Sequence, residues 1–278
     1  MIVIIGGTGM VGSGIVRYMI EKSIDYVSFN SKTIDSNDYK ILSNKIKQLK
    51  PELIINCIGG MTSRACATDK EGAHKLFLYP SINIINVCRE LDIPLLHISS
   101  SSVFDGKEGF YTEYDIPNPI TLYGRLKYIE ELLILVSLEK YYIVRLPMTY
   151  GKHTSSRSDI IEKLLDIYNN SEQKLSLTID RLETPSFNKD IGMGIIDVYL
   201  ENYPYGVYHV SNSGYTNYLN FFKEICRIKD IKFDRSKINL INETGMQSCS
   251  PLKSIIISEK LPEKRNWLKA LEEYLNEN

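Results

Sequence analysis

The chain opens with a β-branched run, residues 2–5, that stops abruptly at Gly6-Gly7-Thr8-Gly9-Met10-Val11-Gly12. An apolar tetrapeptide that meets glycines and then a helix-patterned segment reads as a buried strand turning sharply into a helix. Glycines at such a turn let the backbone approach an anion, and the helix N-terminus offers unbonded N–H groups and the positive end of its dipole. The segment satisfies both G-x-x-G-x-x-G (Gly6, Gly9, Gly12) and G-x-G-x-x-G (Gly7, Gly9, Gly12). Its place directly after a strand favours a pyrophosphate cradle over an ordinary strand–helix turn.

The same alternation continues. Strands are expected at 26–29, 53–57, 95–98 and 142–146, and helices at 10–21, 39–49, 71–91 and 122–138. Pro51 stops the second helix, and Pro80 marks a kink or break in the third. Wholly apolar strands separated by helices predict a parallel sheet covered on both faces, and right-handed crossovers make it doubly wound and Rossmann-like. Ligands of such sheets bind beyond the carboxyl ends of the strands, here the loops after Ile5, Phe29, Cys57, Ile98 and Leu146. Past Gly151 the pattern loosens, with helices expected at 159–168, 189–199, 215–228 and 267–275 and a strand at 206–210. The expected organisation is a dinucleotide-binding domain over 1–150, rejoined by elements near 176–212. A smaller α/β substrate lobe is expected from 151–175 and 213–278.

Composition narrows the function classes. A net charge of −1 over 278 residues gives no bulk attraction to nucleic acid or anionic membrane. No apolar run approaches the roughly 18 residues of a membrane span, and the N-terminal strand is too short and lacks the basic start of a signal peptide. A cytoplasmic location is expected. The five cysteines are scattered without a C-x-x-C, which suggests neither zinc nor a disulfide framework. His74, His97, His153 and His209 have no metal-ligand spacing, so no metal site is expected. His97 and His209 fall in apolar strands and read as core residues.

Tyr123-Gly124-Arg125-Leu126-Lys127 places a phenol and an ammonium four residues apart, on one face of a helix. A free tyrosine, with a pKa near 10, is a poor acid–base catalyst at neutral pH; a neighbouring ammonium favours the phenolate and brings it into range. The chain has 19 tyrosines, so the spacing alone is weak. A second copy, Tyr18 with Lys22, sits late in the first helix, away from the strand ends, and reads as structural. Tyr123 follows a loop, shortly after Ser99-Ser100-Ser101-Ser102 at the mouth of the fourth strand, where a hydroxyl can bond a reacting carbonyl oxygen. After the second strand the chain reads Phe29-Asn30-Ser31-Lys32: the carboxylate usual for NAD is missing and Lys32 suits a 2′-phosphate, which favours NADPH over NADH. His153 and Arg157, after the fifth strand, suit a substrate phosphate.

These segments, GGTGMVG at 6–12, KPELIINC at 50–57, HISSSSVFDG at 97–106, YGRLK at 123–127, RLPMTYG at 145–151, LSLTIDRLETPSF at 175–187 and GVYHVSN at 206–212, resemble the extended short-chain dehydrogenase/reductases. Within them, the chain looks like the dTDP-4-dehydrorhamnose reductase-like family. The resemblance implies reduction of the 4-keto group of a nucleotide-linked deoxysugar by a nicotinamide cofactor. It implies that Ser100 polarises the carbonyl, Tyr123 donates the proton, and Lys127 holds the nicotinamide ribose and tunes the tyrosine. Gly6, Thr8, Gly9, Met10, Val11 and Gly12 would form the pyrophosphate turn. Asp35 would lie near the adenine, Cys57, Ile58 and Gly59 would line the cofactor, and Leu146 with Pro147 would meet the nicotinamide. A homodimer is also implied. The chain departs from the family in having Ser100-Ser101-Ser102 for Thr-Asp-Tyr, no Asn near Leu76 and Phe77, and Ser250 for an arginine before Pro251; Lys253 is the candidate replacement for that charge, and Ser101 a candidate substrate contact. Related enzymes epimerise nucleotide sugars, and some relatives are non-catalytic NADP-binding regulatory subunits; these are the competing functions.

Overall fold

The computed structural model describes residues 1–155, 158–170, 172–244 and 251–277. Its first half is β1 (Ile2–Ile5), α1 (Met10–Glu21), β2 (Tyr26–Phe29), α2 (Tyr39–Leu49), β3 (Leu53–Asn56), α3 (Ser63–Thr68), α4 (Lys70–Leu91), β4 (Leu95–Ser100), a 3-10 turn Ser101–Val103, α5 (Leu122–Ser137) and β5 (Tyr141–Leu146). The second half is β6 (Thr149–Tyr150), α6 (Ile160–Asn170), β7 (Leu175–Thr178), β8 (Leu182–Glu183), β9 (Ser186–Phe187), α7 (Asn188–Leu200), β10 (Gly206–His209), β11 (Thr216–Asn217), α8 (Tyr218–Ile228), β12 (Ile238–Ile241) and α9 (Trp267–Asn276).

Six strands, all parallel, form one sheet in the order β10-β5-β4-β3-β1-β2. This is the doubly wound α/β architecture. Strand order reverses between β1 and β3, and the crevice at their carboxyl ends is where such a fold receives a ligand. Both faces are covered by separate apolar clusters. One includes Ile2, Ile4, Ile15, Met19, Ile191 and Ile195; the other includes Val3, Ile5, Leu42, Ile46, Ile84 and Ile143.

A further core, with Tyr150, Phe187, Phe221, Phe222, Trp267 and Leu271, belongs to the later elements. There β7 pairs with β12, β8 with β11 and β9 with β6. Of the elements near 176–212, β10 joins the large sheet while β7 and β8 pair outside it. Among the described residues no helix is long and apolar enough to cross a membrane.

Pro80 does not break its helix: α4 runs from Lys70 to Leu91 as one element. Proline forfeits one backbone bond, a cost of about 3 kcal/mol in a helix interior. Phe77, Ser81, Ile84, Ile85 and Cys88 bury one face on either side of it and hold the helix in register. The short α3 was not foreseen; it is started by Thr62, whose hydroxyl accepts from Ala65 N at 3.2 Å.

The helices α1 and α7 meet at glycines. A Cβ on Gly14 would collide with the Asn188 carbonyl oxygen, and one on Gly192 with the Gly14 backbone. Asn188 Nδ2 meanwhile donates to the Met10 carbonyl at 3.0 Å, locking the start of α1 to α7. Gly14→Ala is therefore expected to cost about 3 kcal/mol, a drop in Tm of roughly 6–12 °C by thermal circular dichroism. Gly9→Ala, where an added Cβ meets nothing nearer than Gly6 O at 3.4 Å, should stay within about 1 kcal/mol of the parent.

Candidate active site

The turn after β1 is built for close approach. Gly6 has φ +93°, and a Cβ there would sit 2.8 Å from the Cys57 carbonyl. Its N–H donates to Phe29 O at 2.8 Å, which ties the turn to the end of β2. Gly9 then starts α1, and no side chain caps the helix's first N–H groups. Half-exposed Thr8, Met10 and Val11 surround this opening. A Cβ on Gly59, across the crevice, would meet nothing nearer than 4.0 Å. Free donors, a helix dipole and open space together fit a dinucleotide pyrophosphate. The loop after β3 is fixed beside them: Cys57 N donates to Ile5 O at 2.8 Å and Ile58 N to Asn56 Oδ1 at 3.0 Å. Burial pushes the Cys57 thiol up to about 12, against the pull of Lys127, so it stays neutral.

Beyond β2 the chain folds into a tight turn. Asn30 Oδ1 accepts from Lys32 N at 2.9 Å, and Asn30 N donates to Thr33 Oγ1 at 2.9 Å. Ser31, Lys32 and Asp35 are exposed around it. Asp35 accepts from Asn37 N at 2.9 Å.

The phenol and ammonium lie at the other side of the crevice. Thr121 caps α5 by accepting from Gly124 N at 3.0 Å. Gly124 itself lets the helix settle on the turn after β4, since a Cβ there would collide with Ser102 O. Tyr123 is half-buried, its ring edge-on to Phe77 at 5.6 Å. One helical turn on, buried Lys127 donates to Ile98 O at 3.1 Å, lies 2.9 Å from Glu130 Oε2, and sits 5.0 Å from the Phe77 ring centroid. Burial would strip its proton, but Glu130 and then Tyr123 more than offset this and hold the ammonium above its ordinary value. Ser100, nearly buried, pairs in register with Leu146 and accepts from Ser102 N at 3.1 Å; Ser101 is buried beside it.

Ser100 and Leu146 thus pair at the carboxyl ends of β4 and β5 with Ser101 next in the chain, Lys127 of α5 bonds the end of β4, and the glycine turn and residues 30–35 follow β1 and β2 of the same sheet. His153 is half-buried and paired with the Ser155 hydroxyl at 2.7 Å; Thr154 N reaches Ser13 Oγ at 3.3 Å, which sets this loop against α1. Lys253 N donates to Gly106 O at 3.2 Å, beside the loop that follows β4. Arg157 and Ser250 lie outside the described residues. Tyr18 donates to Asp197 Oδ1 at 2.8 Å, and burial with this carboxylate pushes its phenol up to about 12, away from any catalytic range. His97 and His209 are each 1% exposed core residues.

Sequence reasoning missed two polar clusters. Under α5, Glu130 meets Lys127, His97 and Ser81, and Glu131 takes Arg145 through two bonds of 3.0 and 2.7 Å together with the Ser99 hydroxyl. The available signal was two adjacent carboxylates in the otherwise apolar run that follows Lys127 in α5. In the later lobe, Arg181 pairs with Glu243 near Glu183 and Tyr218, and no motif announced it. Burial pushes the Glu183 carboxyl up to about 8, with only partial relief from Arg181.

This fold and site define an NAD(P)-dependent oxidoreductase of the short-chain dehydrogenase/reductase type. The chain belongs to the RmlD substrate binding domain family, whose model matches residues 1–278. It is 24% identical to the spore coat polysaccharide biosynthesis protein SpsK of Bacillus subtilis, over 99% of this chain and 97% of that one. It is 22% identical to a dTDP-4-dehydrorhamnose reductase of Aggregatibacter actinomycetemcomitans, over 79% of this chain and 76% of the relative. The crystal structure of dTDP-4-dehydrorhamnose reductase from Bacillus anthracis, in complex with NADP, superposes with a TM-score of 0.89 at 22% identity, covering 100% of this chain and 99% of the other.

Glu183 yields a stability test. A carboxyl whose folded value lies above its unfolded one favours the fold while protonated and opposes it once ionised. Stability should therefore fall as pH rises from about 4.5 to about 8. Glu183→Gln is expected to match the parent near pH 5 and to melt roughly 4 °C higher near pH 8.5, about 2 kcal/mol in a chain of this size. Scanning calorimetry at the two pH values checks it.

Proposed function

We propose that the protein reduces the 4-keto group of a nucleotide-diphosphate deoxysugar, with NADPH preferred to NADH. The observation that carries this is the phenol and ammonium on one face of α5, beside a serine turn and across a crevice from an uncapped glycine-rich helix start. The relatives named for polysaccharide biosynthesis and for dTDP-4-dehydrorhamnose reduction support the substrate class. Asn30-Ser31-Lys32 in place of a carboxylate, and the NADP-bound relative, support the cofactor.

What the dinucleotide supplies when bound is a hydride for the carbonyl carbon. The chain's own residues do the rest. Ser100 Oγ already accepts a bond from Ser102 N, which leaves its O–H to donate to the carbonyl oxygen. Tyr123 gives that oxygen its proton, so ketone becomes alcohol. Lys127, with Ile98 O and Glu130 taking two donors, turns its remaining N–H to the nicotinamide ribose. The glycine turn with Thr8, Met10 and Val11 takes the pyrophosphate, Cys57, Ile58, Gly59 and Leu146 line the cofactor, and Asp35 stands near the adenine. Ser101, His153 and Lys253 are assigned to the substrate, as is Arg157 on the sequence alone. An apolar row on α4 and α5, with Tyr79, Ile82, Ile129, Leu132, Leu135 and Val136 exposed, supports a homodimer.

NADPH oxidation is to be followed against a panel of 4-keto-6-deoxy nucleotide sugars. Tyr123→Phe should lower kcat by roughly 10³-fold, the size of a lost general acid, with the NADPH Kd changed less than about threefold. Tight NADPH binding by the parent without turnover of any keto sugar would instead mark a non-catalytic cofactor-binding subunit.

A further inference from the structure

Beneath the catalytic pair lies a buried polar network centred on Glu130. Asn56 Oδ1 accepts from Ile58 N at 3.0 Å, so the Asn56 amide nitrogen must face the other way. It meets Ser81 Oγ and His97 Nδ1, each at 3.2 Å. Nδ1 of His97 is thus an acceptor and the ring proton sits on Nε2, 3.5 Å from Glu130 Oε2. Ser81, having accepted from Asn56, donates its own proton to Glu130 Oε1. Both proton-bearing neighbours point at the Glu130 carboxylate, and its Oε2 also meets Lys127 at 2.9 Å. The exposures of Lys127 and Glu130 are 3% and 1%.

We infer that Glu130 is a positioning residue: it keeps Lys127 charged at depth and aimed at the cofactor, and it couples that lysine to the cofactor-lining loop after β3. The reasoning rests on the cofactor reading above. An ammonium this deep loses its proton or leaves for water unless an anion holds it. The other groups facing Lys127 are Tyr123 from α5, Phe77 from α4, Cys66 from α3, Cys57 just after β3 and the Ile98 carbonyl from β4, with His97 of β4 and Ser81 of α4 on the far side of Glu130. Burial holds the thiols of Cys57 and Cys66 above their ordinary range. Glu130 is the one carboxylate among these described groups. The chain of contacts runs from Ile58 N through Asn56 and Ser81 to Glu130, which pairs with the lysine, and His97 stands 3.5 Å from the same carboxylate. A shift of the loop that lines the cofactor is felt at the amine.

The test measures the NADPH Kd by fluorescence from pH 7 to 10, with Tm recorded at each pH, for the parent, Glu130→Gln, Glu130→Asp and Lys127→Met. The parent should hold NADPH with little change up to the alkaline end. Glu130→Gln should weaken sooner, its alkaline midpoint falling by about one pH unit or more, a tenfold loss near that limb. Glu130→Asp, which restores the charge on a shorter arm, should recover part of the shift. Lys127→Met should be weak and flat, and adding Glu130→Gln to it should bring no further loss. A lower Tm with the alkaline midpoint unmoved would overturn the inference and leave Glu130 a structural ion. Should Glu130→Gln not fold, Glu130→Asp decides alone: a lowered midpoint supports the assignment and an unmoved one ends it. A parent that binds no NADPH at any pH defeats the cofactor reading itself, an outcome distinct from both.

Discussion

A parallel sheet covered on both faces has almost no place for a polar side chain, and that constraint organises this molecule. β1 and the first three residues of β3 are wholly apolar and buried. Polar residues enter these strands of the sheet towards their carboxyl ends: Asn56 closes β3, His97 to Ser100 lead out of β4 save for one isoleucine, Arg145 is next to last in β5, and His209 closes the edge strand β10. Each is buried and so must find a partner within the protein. The need to satisfy them concentrates hydrogen bonds at the rim where the ligand crevice also lies. Chemistry and structural polarity share one edge because the fold leaves no other.

Two consecutive carboxylates on α5 satisfy most of that rim. Glu130 and Glu131 are about 100° apart on the helix, so they serve different strands. Glu130 reaches the Lys127 amine, His97 and Ser81, while Glu131 reaches Arg145 and Ser99. Rotation of α5 by part of a turn would strand both at once. Breaking a buried ion pair costs about 3–5 kcal/mol, so the two together fix the helix's rotation far more sharply than its apolar contacts can. Tyr123 inherits that rotation, since it lies on the same helix two turns before the two acids.

What the sequence disclosed follows from the range over which each feature acts. The glycine turn and the Tyr123–Lys127 spacing are local, and strand alternation is a periodic signal, so sheet and crevice were legible. The strand pairs of the later lobe were not, because β6, β8, β9 and β11 are two residues each and too short for a period. Helix α4 defied its proline because burial on either side of Pro80 is a tertiary property. Glu130 was invisible for the same reason. Its partner Ser81 lies 49 residues back on another helix, and Ile58, where its network ends, lies in a loop of a third element. Glu183 carried no local signal either, since its burial is a tertiary property.

Phe77 completes the electrostatics of the site. Its ring meets both Tyr123, edge-on at 5.6 Å, and Lys127, at 5.0 Å. An asparagine there would offer the ammonium a competing acceptor. A phenyl ring offers only its weak quadrupole and excludes water from the amine. The lysine then meets the Ile98 carbonyl and Glu130, and the field of the buried ion pair is screened less than it would be at the surface. Lys127 therefore depends on Glu130 more heavily than it would in a polar pocket, since almost none of its surface is exposed. Hydrophobic cover and buried acid are two halves of one device, and neither alone holds a charged amine at this depth.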